Sequence, residues 1–184
     1  MTILVTGGAG FIGSHLAEHL VAAGNPVRVV DNLKTGKREN LPPGVEFQEM
    51  DFAEVDLEGV DLVYHLAAQV SVPQSVKFPL HANETNLGKT LKLIRKAVDA
   101  RVRRFIFASS SSVYGDLPGF PKKEADGLCP MSPYAVSKMA AELYCSQAAR
   151  HWNLETVVFR FFNVYGPRQD PDSPYAAAIP IFLS

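Results

Sequence analysis

Short apolar runs alternate along the chain with longer stretches in which hydrophobic residues recur at helical spacing. The short runs predict strands at about residues 2 to 6, 26 to 31, 45 to 49, 60 to 65, 103 to 109 and 155 to 161. The helical patterns cover about residues 12 to 23, 79 to 100 and 133 to 151. Several strands are apolar almost throughout, which is typical of strands covered on both faces. The alternation therefore predicts an α/β protein with a doubly wound parallel sheet.

The pattern shows neither an internal repeat nor a linker, so residues 1–170 are predicted to form one domain. Residues 171–184 are expected to start a further region, with a loop leading into a helix at 179–184 that stops after one turn. The segment 115–131 is rich in proline, glycine and charge, and it is too long for a simple connection. We expect it to border a functional site.

Composition narrows the possible partners. The 184 residues are 47% hydrophobic and 20% charged, with a formal net charge of −1. This balance gives no electrostatic reason to expect binding to nucleic acid or to a membrane surface. No apolar stretch reaches the roughly 20 residues of a transmembrane helix, and the chain begins with a core strand instead of a signal sequence. We therefore expect a cytoplasmic protein, in which Cys129 and Cys145 are neither metal ligands nor disulfide partners.

A glycine-rich turn joins the first strand to the first helix. Its glycines fit two dinucleotide-binding spacings, one through Gly7, Gly10 and Gly13 and the other through Gly8, Gly10 and Gly13. Glycine allows positive φ angles and a close approach of the backbone to a pyrophosphate, which the helix N-terminus attracts. Asp31 ends the second strand, where its carboxylate can accept hydrogen bonds from the adenosine ribose. The unit predicts a dinucleotide site.

Polar side chains follow two later strands. A run of four serines, 109–112, comes directly after the strand at about 103 to 109, and Asn163 follows the strand at about 155 to 161. Parallel strands end at one edge of the sheet, which is where open α/β folds bind ligands. Tyr134 and Lys138 lie one helical turn apart, and a nearby cation favours the phenolate form of a tyrosine. These features predict a proton-transfer site beside the dinucleotide.

Taken together, these motifs resemble the extended short-chain dehydrogenase/reductase family, in its NAD-dependent sugar-nucleotide epimerase/dehydratase branch, and in particular the UDP-glucose 4-epimerase type. The resemblance covers essentially the whole chain. The residues that carry it are segment 6–14, Asp31 to Leu33, Asp51, His65 to Ala68, Asn86, the serine run with segment 113–116, Tyr134, Lys138 and segment 160–163. It implies a Rossmann fold whose smaller C-terminal substrate-binding subdomain is largely missing, with NAD as the cofactor.

The resemblance also implies a role for each matching residue. Tyr134 would be the acid/base, Lys138 would bind the nicotinamide ribose and lower the pKa of the tyrosine, and Ser110 would be the catalytic hydroxyl, with Ser111 as the alternative. Asp31 would bind the adenosine ribose and Asp51 the adenine amino group. Residues expected to bind the cofactor are Gly7, Gly10, Phe11, Ile12, Gly13, Asp31, Asn32, Asp51, Phe52, Leu66, Ala67, Ala68, Asn86, Tyr134 and Lys138. Those expected to bind substrate are Ser111, Asn163 and Arg168.

Two departures from the family pattern bear on the reaction and on the cofactor contact. Dehydratases of this family carry an Asp-Glu pair after the catalytic hydroxyl, whereas this chain has Ser111 and Ser112. Hydroxyls do not readily perform the proton transfers of dehydration, which favours epimerisation. In segment 86–90 the glycine stands one place earlier than in the family's usual N-x-x-G-T. This departure bears on the cofactor contact at Asn86 and not on the fold.

The resemblance thus implies a UDP-sugar 4-epimerase that works through a 4-keto intermediate. The alternatives are another epimerase, dehydratase or reductase of the family, or an NAD-binding module that has no turnover by itself. The family resemblance further suggests a homodimer through the helices at 79 to 100 and 133 to 151. Packing on the sheet would also explain their apolar faces.

Overall fold

The computed structural model describes residues 1–170 and confirms the predicted sheet. Its six strands are β1 (Ile3–Thr6), β2 (Val27–Asp31), β3 (Glu46–Glu49), β4 (Leu62–His65), β5 (Arg104–Ser110) and β6 (Glu155–Phe161). All pair in parallel, in the order β3-β2-β1-β4-β5-β6. The order reverses between β1 and β4, which makes this a doubly wound Rossmann sheet. The helix predicted at 179–184 lies outside the described residues.

Five α-helices connect the strands. They are α1 (Phe11–Ala22), α2 (Val72–Lys77), α3 (Pro79–Asn83), α4 (Lys89–Asp99) and α5 (Pro133–His151). The helix predicted at 79 to 100 is divided into α3 and α4 by a π-helical segment, Glu84–Gly88. Helix α2 was not predicted from the hydrophobic pattern because it has only six residues. No helix in the described part of the chain is both long and apolar enough to cross a bilayer.

Alternate residues of the strands pack on opposite faces of the sheet. On one face, Ile3, Val5 and Val29 pack with Ala17 and Leu20 of α1. On the other, a larger cluster joins the sheet to α4 and α5: its members include Leu4, Val63, Leu93, Ile94, Phe105, Phe107, Ala141 and Cys145. Because helices cover both faces, the central strands β1 and β4 read as nearly continuous apolar runs. The candidate site residues lie at the remaining edge, where the strands have their carboxyl ends.

Candidate active site

Three glycines of the first turn are required by the protein's own packing. Gly7 has φ +70°, and a Cβ there would lie 2.7 Å from the backbone nitrogen of Ala67. A Cβ on Gly13 would lie 2.2 Å from the carbonyl oxygen of Gly7, and one on Gly8 would lie 2.5 Å from Cγ1 of Val29. Both glycine spacings found in the sequence therefore have a structural basis.

Gly10 differs from these three glycines. A Cβ there would approach only the carbonyl oxygen of Gly7, at 3.3 Å. Gly10 is the N-cap of α1 and offers no side chain to the first-turn N–H groups of the helix, which include those of Phe11 and Ile12. The space that a Cβ would occupy therefore lies against uncapped donors at a helix N-terminus. A pyrophosphate fits such a cradle.

The Asp31 carboxylate lies next to this turn. Its Oδ2 accepts a hydrogen bond from Ala9 N (3.1 Å), and its Oδ1 accepts one from Leu33 N (2.9 Å). These bonds fix the rotamer, and each oxygen keeps a lone pair for a ligand hydroxyl. Asn32 is exposed, and its Oδ1 accepts from Lys34 N at 3.2 Å. The arrangement is suited to binding a ribose.

Asp51 lies one strand further out. The N–H of Met50 donates to the carbonyl oxygen of Asp31 (3.1 Å), which keeps the two chain segments side by side. Asp51 Oδ1 accepts from Ala53 N (3.0 Å), and its Oδ2 is 2.5 Å from Lys89 Nζ. Partial burial would raise the pKa of Asp51, but the hydrogen bonds from Lys89 and Ala53 hold it below its usual value. The carboxylate is therefore ionised at neutral pH.

Phe52 and His65 belong to the core beneath this part of the edge. Their ring centroids are 4.8 Å apart, and the side chain of Phe52 is buried. Nδ1 of His65 is 2.7 Å from Thr6 Oγ1, and its Nε2 is 2.8 Å from Thr90 Oγ1. Burial, together with the charge of Lys138, lowers the pKa of His65 to about 3. This histidine is therefore neutral and joins β1 and β4 to α4.

The loop after β4 lies close in space to the glycine turn. Leu66, Ala67 and Ala68 are half-buried. The N–H of Leu66 donates to the carbonyl of Thr6 (3.2 Å) and that of Ala67 to Thr6 Oγ1 (3.3 Å). The loop is therefore held beside the glycine turn at the carboxyl end of β1.

Asn86 supports this loop from the π-helical segment. Its Oδ1 accepts from Gln69 N (2.8 Å), and its Nδ2 donates to Gln69 O (2.9 Å) and to Ser137 Oγ (3.2 Å). Ser137 Oγ in turn donates to the carbonyl of Tyr134 (2.7 Å). The side chain of Asn86 is almost completely buried. It ties the loop to the helix that carries the predicted acid/base.

Ser110 and Tyr134 come together where β5 ends and α5 begins. Ser132 caps α5 by accepting from Ala135 N (3.1 Å), which places Tyr134 in the first turn. Burial raises the pKa of the Tyr134 phenol, while its hydrogen bond with Ser110 works to lower it. Ser110 Oγ also accepts from Ser112 N (3.2 Å) and from Ser112 Oγ (2.9 Å).

Lys138 is buried one turn further along α5. Its Nζ donates to the carbonyl of Ala108 (2.8 Å) and lies 6.0 Å from the ring centroid of Tyr134. Burial lowers the pKa of Lys138 to about 8. The family resemblance implies that Lys138 lowers the pKa of Tyr134. In the chain alone that pKa is raised, because desolvation of the phenol outweighs the hydrogen bond with Ser110.

A polar network behind the serine run was not found from the sequence. Ser109 donates to Glu142, and Arg160 forms a double hydrogen bond with that carboxylate, its Nη2 to Oε2 distance being 2.9 Å. Arg160 Nη1 also contacts Tyr114 Oη at 3.1 Å. Glu142 lies one turn after Lys138, and this spacing was the only available signal. The network fixes the turn that carries Ser110.

The predicted substrate residues lie around the same edge. Asn163 is exposed, two residues beyond β6. Ser111 is half-buried in the 3₁₀ turn after Ser110. Arg168 is bound to α1, with Nη2 at 2.7 Å from Glu18 Oε2 and Nη1 at 3.3 Å from Ser14 Oγ. To meet a substrate phosphate, Arg168 would have to exchange at least one of these partners.

Comparison with known proteins gives a consistent result. The family model described as "NAD dependent epimerase/dehydratase family" matches residues 3–184. The UDP-glucose 4-epimerase of Mycolicibacterium smegmatis is 39% identical over 99% of this chain and 62% of its own length. The UDP-N-acetylglucosamine 4-epimerase of Methanobrevibacter ruminantium, solved with UDP-N-acetylmuramic acid, is 43% identical with a TM-score of 0.94, over 99% of this chain and 61% of that one.

The UDP-glucose 4-epimerase of Thermus thermophilus, solved in complex with NAD, is 45% identical with a TM-score of 0.88, over 95% of this chain and 59% of that one. The chain thus spans 59% to 62% of the length of these three proteins.

Proposed function

The chain belongs to the NAD dependent epimerase/dehydratase family, and we propose that it forms the cofactor-binding and proton-transfer part of an NAD-dependent UDP-sugar 4-epimerase of the UDP-glucose/UDP-galactose type. The observation that carries the proposal is the meeting of Ser110, Tyr134 and Lys138 at the same sheet edge as the Gly10 cradle. A dinucleotide site and a proton-transfer site on one edge are what a redox-assisted epimerase requires.

The order of the strands supports NAD as the ligand. NAD is a linear molecule: adenine, ribose, pyrophosphate, ribose, nicotinamide. Along the edge, Asp51 stands after β3, Asp31 at the end of β2, the Gly10 cradle after β1 and the Ser110 hydroxyl at the end of β5. If the pyrophosphate binds at the cradle and the ribose at Asp31, the base lies at Asp51 and the nicotinamide reaches Ser110 and Tyr134. The four groups thus follow the order of adenine, its ribose, the pyrophosphate and the nicotinamide.

The proposed reaction starts with proton removal. We assign Tyr134 to take the proton from the sugar 4-hydroxyl and to return it after the 4-keto sugar has turned over in the site. Ser110, which shares a hydrogen bond with the phenol, would hold the sugar oxygen. Bound NAD would supply the hydride acceptor and donor, and its positive charge would help Tyr134 to ionise. Lys138, buried beside the phenol, would reach the nicotinamide ribose if it released the Ala108 carbonyl.

The neighbours of Ser110 favour epimerisation over dehydration. Elimination of water needs an acid and a base besides the tyrosine, whereas the positions after Ser110 hold the hydroxyls of Ser111 and Ser112. Ser112 already donates to Ser110 at 2.9 Å. We propose that Ser111 and Asn163 contact the nucleotide sugar and that Arg168 meets its diphosphate.

We also propose a homodimer and a cytoplasmic location. Exposed apolar side chains lie on α2, α3 and α5, including Val76 (62% exposed), Leu80 (85%), Val136 (47%) and Leu143 (57%). Val136 and Leu143 are seven residues apart and so share a face of α5. Two copies could bury this surface. Both Cys129 and Cys145 are free thiols, as is usual in a reducing compartment.

Two measurements test the proposal. Mass spectrometry of ligands released from the purified chain should detect NAD. Interconversion of UDP-galactose and UDP-glucose should be slower by about 10²- to 10⁴-fold in Tyr134→Phe, with NAD still bound. Tyr144→Phe, an exposed tyrosine on the same helix, is the matched control.

The outcomes separate the alternatives. Wild-type turnover in Tyr134→Phe would exclude the assigned acid/base. If the wild-type chain binds NAD but does not turn over, it is a binding module by itself. The same assay with a chain extended at the C-terminus would then show whether turnover needs the additional length of its relatives.

A further inference from the structure

Lys89 places an ammonium group directly against Asp51. It is the first residue of α4, immediately after the π-helical segment, and its Nζ is 2.5 Å from Asp51 Oδ2. The two side chains are 27% and 32% exposed. Neither group is buried out of reach, so a ligand at the end of β3 meets a carboxylate and an ammonium side by side.

This inference rests on the proposed function, in which the purine of the dinucleotide lies at the end of β3. The support is geometric. Asp51 follows β3, the next strand out from β2, and the N–H of Met50 holds this segment to the carbonyl of Asp31. A base attached to a ribose at Asp31 extends in one of two directions along the edge. The pyrophosphate cradle at β1 takes one of these, which leaves the direction of Asp51 and Lys89.

A carboxylate alone would discriminate strongly between purines with a 6-amino group and purines with a 6-oxo group. It can only accept hydrogen bonds, so it matches the 6-amino group of adenine. A 6-oxopurine presents an acceptor at that position, and a lone carboxylate would leave this oxygen unpaired beside a negative charge. Sites that bind a ligand group by hydrogen bonding reject analogues that cannot form the bond.

The ammonium changes this chemistry. Lysine has three donors, of which one is directed at Asp51 Oδ2. Another can meet a 6-oxo group, while Asp51 accepts from the N1–H that a 6-oxopurine carries. We propose that Lys89 is a specificity-determining residue that makes the base subsite tolerant, so that it binds 6-oxopurine dinucleotides about as well as adenine dinucleotides.

The test compares NAD with nicotinamide hypoxanthine dinucleotide, which differ in the 6-substituent of the purine and the proton on N1. Dissociation constants are measured by titration calorimetry on the wild-type chain, Lys89→Met, Lys89→Arg and Lys92→Met. Lys92 is an exposed lysine on the same helix and serves as the control. We expect the two wild-type constants to lie within about three-fold of each other, and the ratio to rise at least about ten-fold in Lys89→Met because the 6-oxo group loses its donor. Lys89→Arg and Lys92→Met should keep the wild-type ratio.

The possible failures are distinct. If the wild-type chain binds neither dinucleotide, the proposed function fails. If it binds NAD and already rejects the hypoxanthine analogue by about ten-fold or more, the tolerance assigned to Lys89 is wrong. If Lys89→Met weakens both ligands equally, Lys89 only orients Asp51, and the proposal is overturned while the proposed function stands.

Discussion

The hydroxyl oxygen of Ser75 accepts a hydrogen bond from the backbone N–H of Tyr134 over 3.1 Å, across 59 residues of sequence. Ser75 is completely buried, and its own O–H donates to the carbonyl of Val72 at 2.6 Å. The first turn of a helix has N–H groups without partners inside the helix. Ser75 satisfies one of them from α2, so the start of α5, and with it the proposed acid/base, is anchored to a separate helix.

Ser75→Ala should therefore destabilise the fold. The substitution leaves a buried N–H without an acceptor, which costs about 1–3 kcal/mol of unfolding free energy. Urea unfolding of both proteins measures the difference. Ser146→Ala, at an exposed position of α5, is the control and should change stability by less than about 0.5 kcal/mol. Equal stability of Ser75→Ala and the wild type would contradict the anchoring role.

His65 predicts a loss of stability in mild acid. Burial first, and Lys138 second, lower its pKa to about 3, whereas the unfolded chain titrates near 6.5. Below pH 6.5 the unfolded state binds a proton that the folded state does not, so the unfolding free energy falls as the pH falls from 6.5 towards 3. The loss approaches about 1.4 kcal/mol per pH unit. Urea unfolding at pH 7, 6 and 5 measures the slope.

His65→Gln removes this titration, so its stability should depend less steeply on pH than that of the wild type, whatever its absolute value. His151→Gln, at an exposed position in the last turn of α5, should retain the wild-type slope. An identical slope in His65→Gln and the wild type would show that other groups cause the acid sensitivity.

The exposed apolar surface on α3 and α5 predicts self-association. Leu80 is 85% exposed and Leu143 is 57% exposed, and burial of a leucine side chain is worth about 1.5–3 kcal/mol. Sedimentation analysis should therefore find a dimer in the wild-type chain. The double variant Leu80→Glu with Leu143→Glu should be a monomer, because it would place carboxylates in the interface. Phe120→Glu, in the loop after β5, is the control, and a monomeric wild type would refute the proposed dimer.

Local sequence was sufficient to predict the helices and strands whose hydrophobic pattern and end residues lie in one continuous stretch. Helix α5 was predicted at its observed bounds, because Ser132 and Pro133 mark its start and its pattern is long. The predicted strands end within two residues of the observed ones. Helix α2 was missed because six residues give too short a pattern. The π-helical segment was also missed, since the residues around it continue the hydrophobic pattern of a single helix.

The predicted site depended on strand ends meeting at one edge, which brings the serine run and Asn163 together, and on the family resemblance, which adds Tyr134. The contacts that hold the site together could not be predicted in this way. Ser75 and Tyr134 are 59 residues apart, and Asp51 and Lys89 are 38 apart. Such pairs depend on how helices lie on the sheet, which a single sequence does not specify. The burial of Tyr134, which raises the pKa of its phenol in the chain alone, depends on the same packing.

Gly10 and Gly13 are three residues apart but should respond differently to alanine. A Cβ on Gly13 would lie 2.2 Å from the carbonyl oxygen of Gly7, which is backbone and cannot move aside, so Gly13→Ala should fold poorly or not at all. A Cβ on Gly10 meets only that same oxygen, at 3.3 Å, and its φ of −79° suits alanine. Gly10→Ala should therefore fold.

The new methyl group of Gly10→Ala would instead occupy the space proposed for the pyrophosphate. We expect a thermal midpoint within a few degrees of the wild type, about 1 kcal/mol or less in stability, and a dissociation constant for NAD at least about ten-fold higher, since the phosphate oxygens lose their close approach to the backbone N–H groups. Differential scanning fluorimetry with and without NAD measures both quantities on one sample. If Gly10→Ala binds NAD as tightly as the wild type, the pyrophosphate does not bind against Gly10, and the order of cofactor groups along the sheet edge must be reassigned.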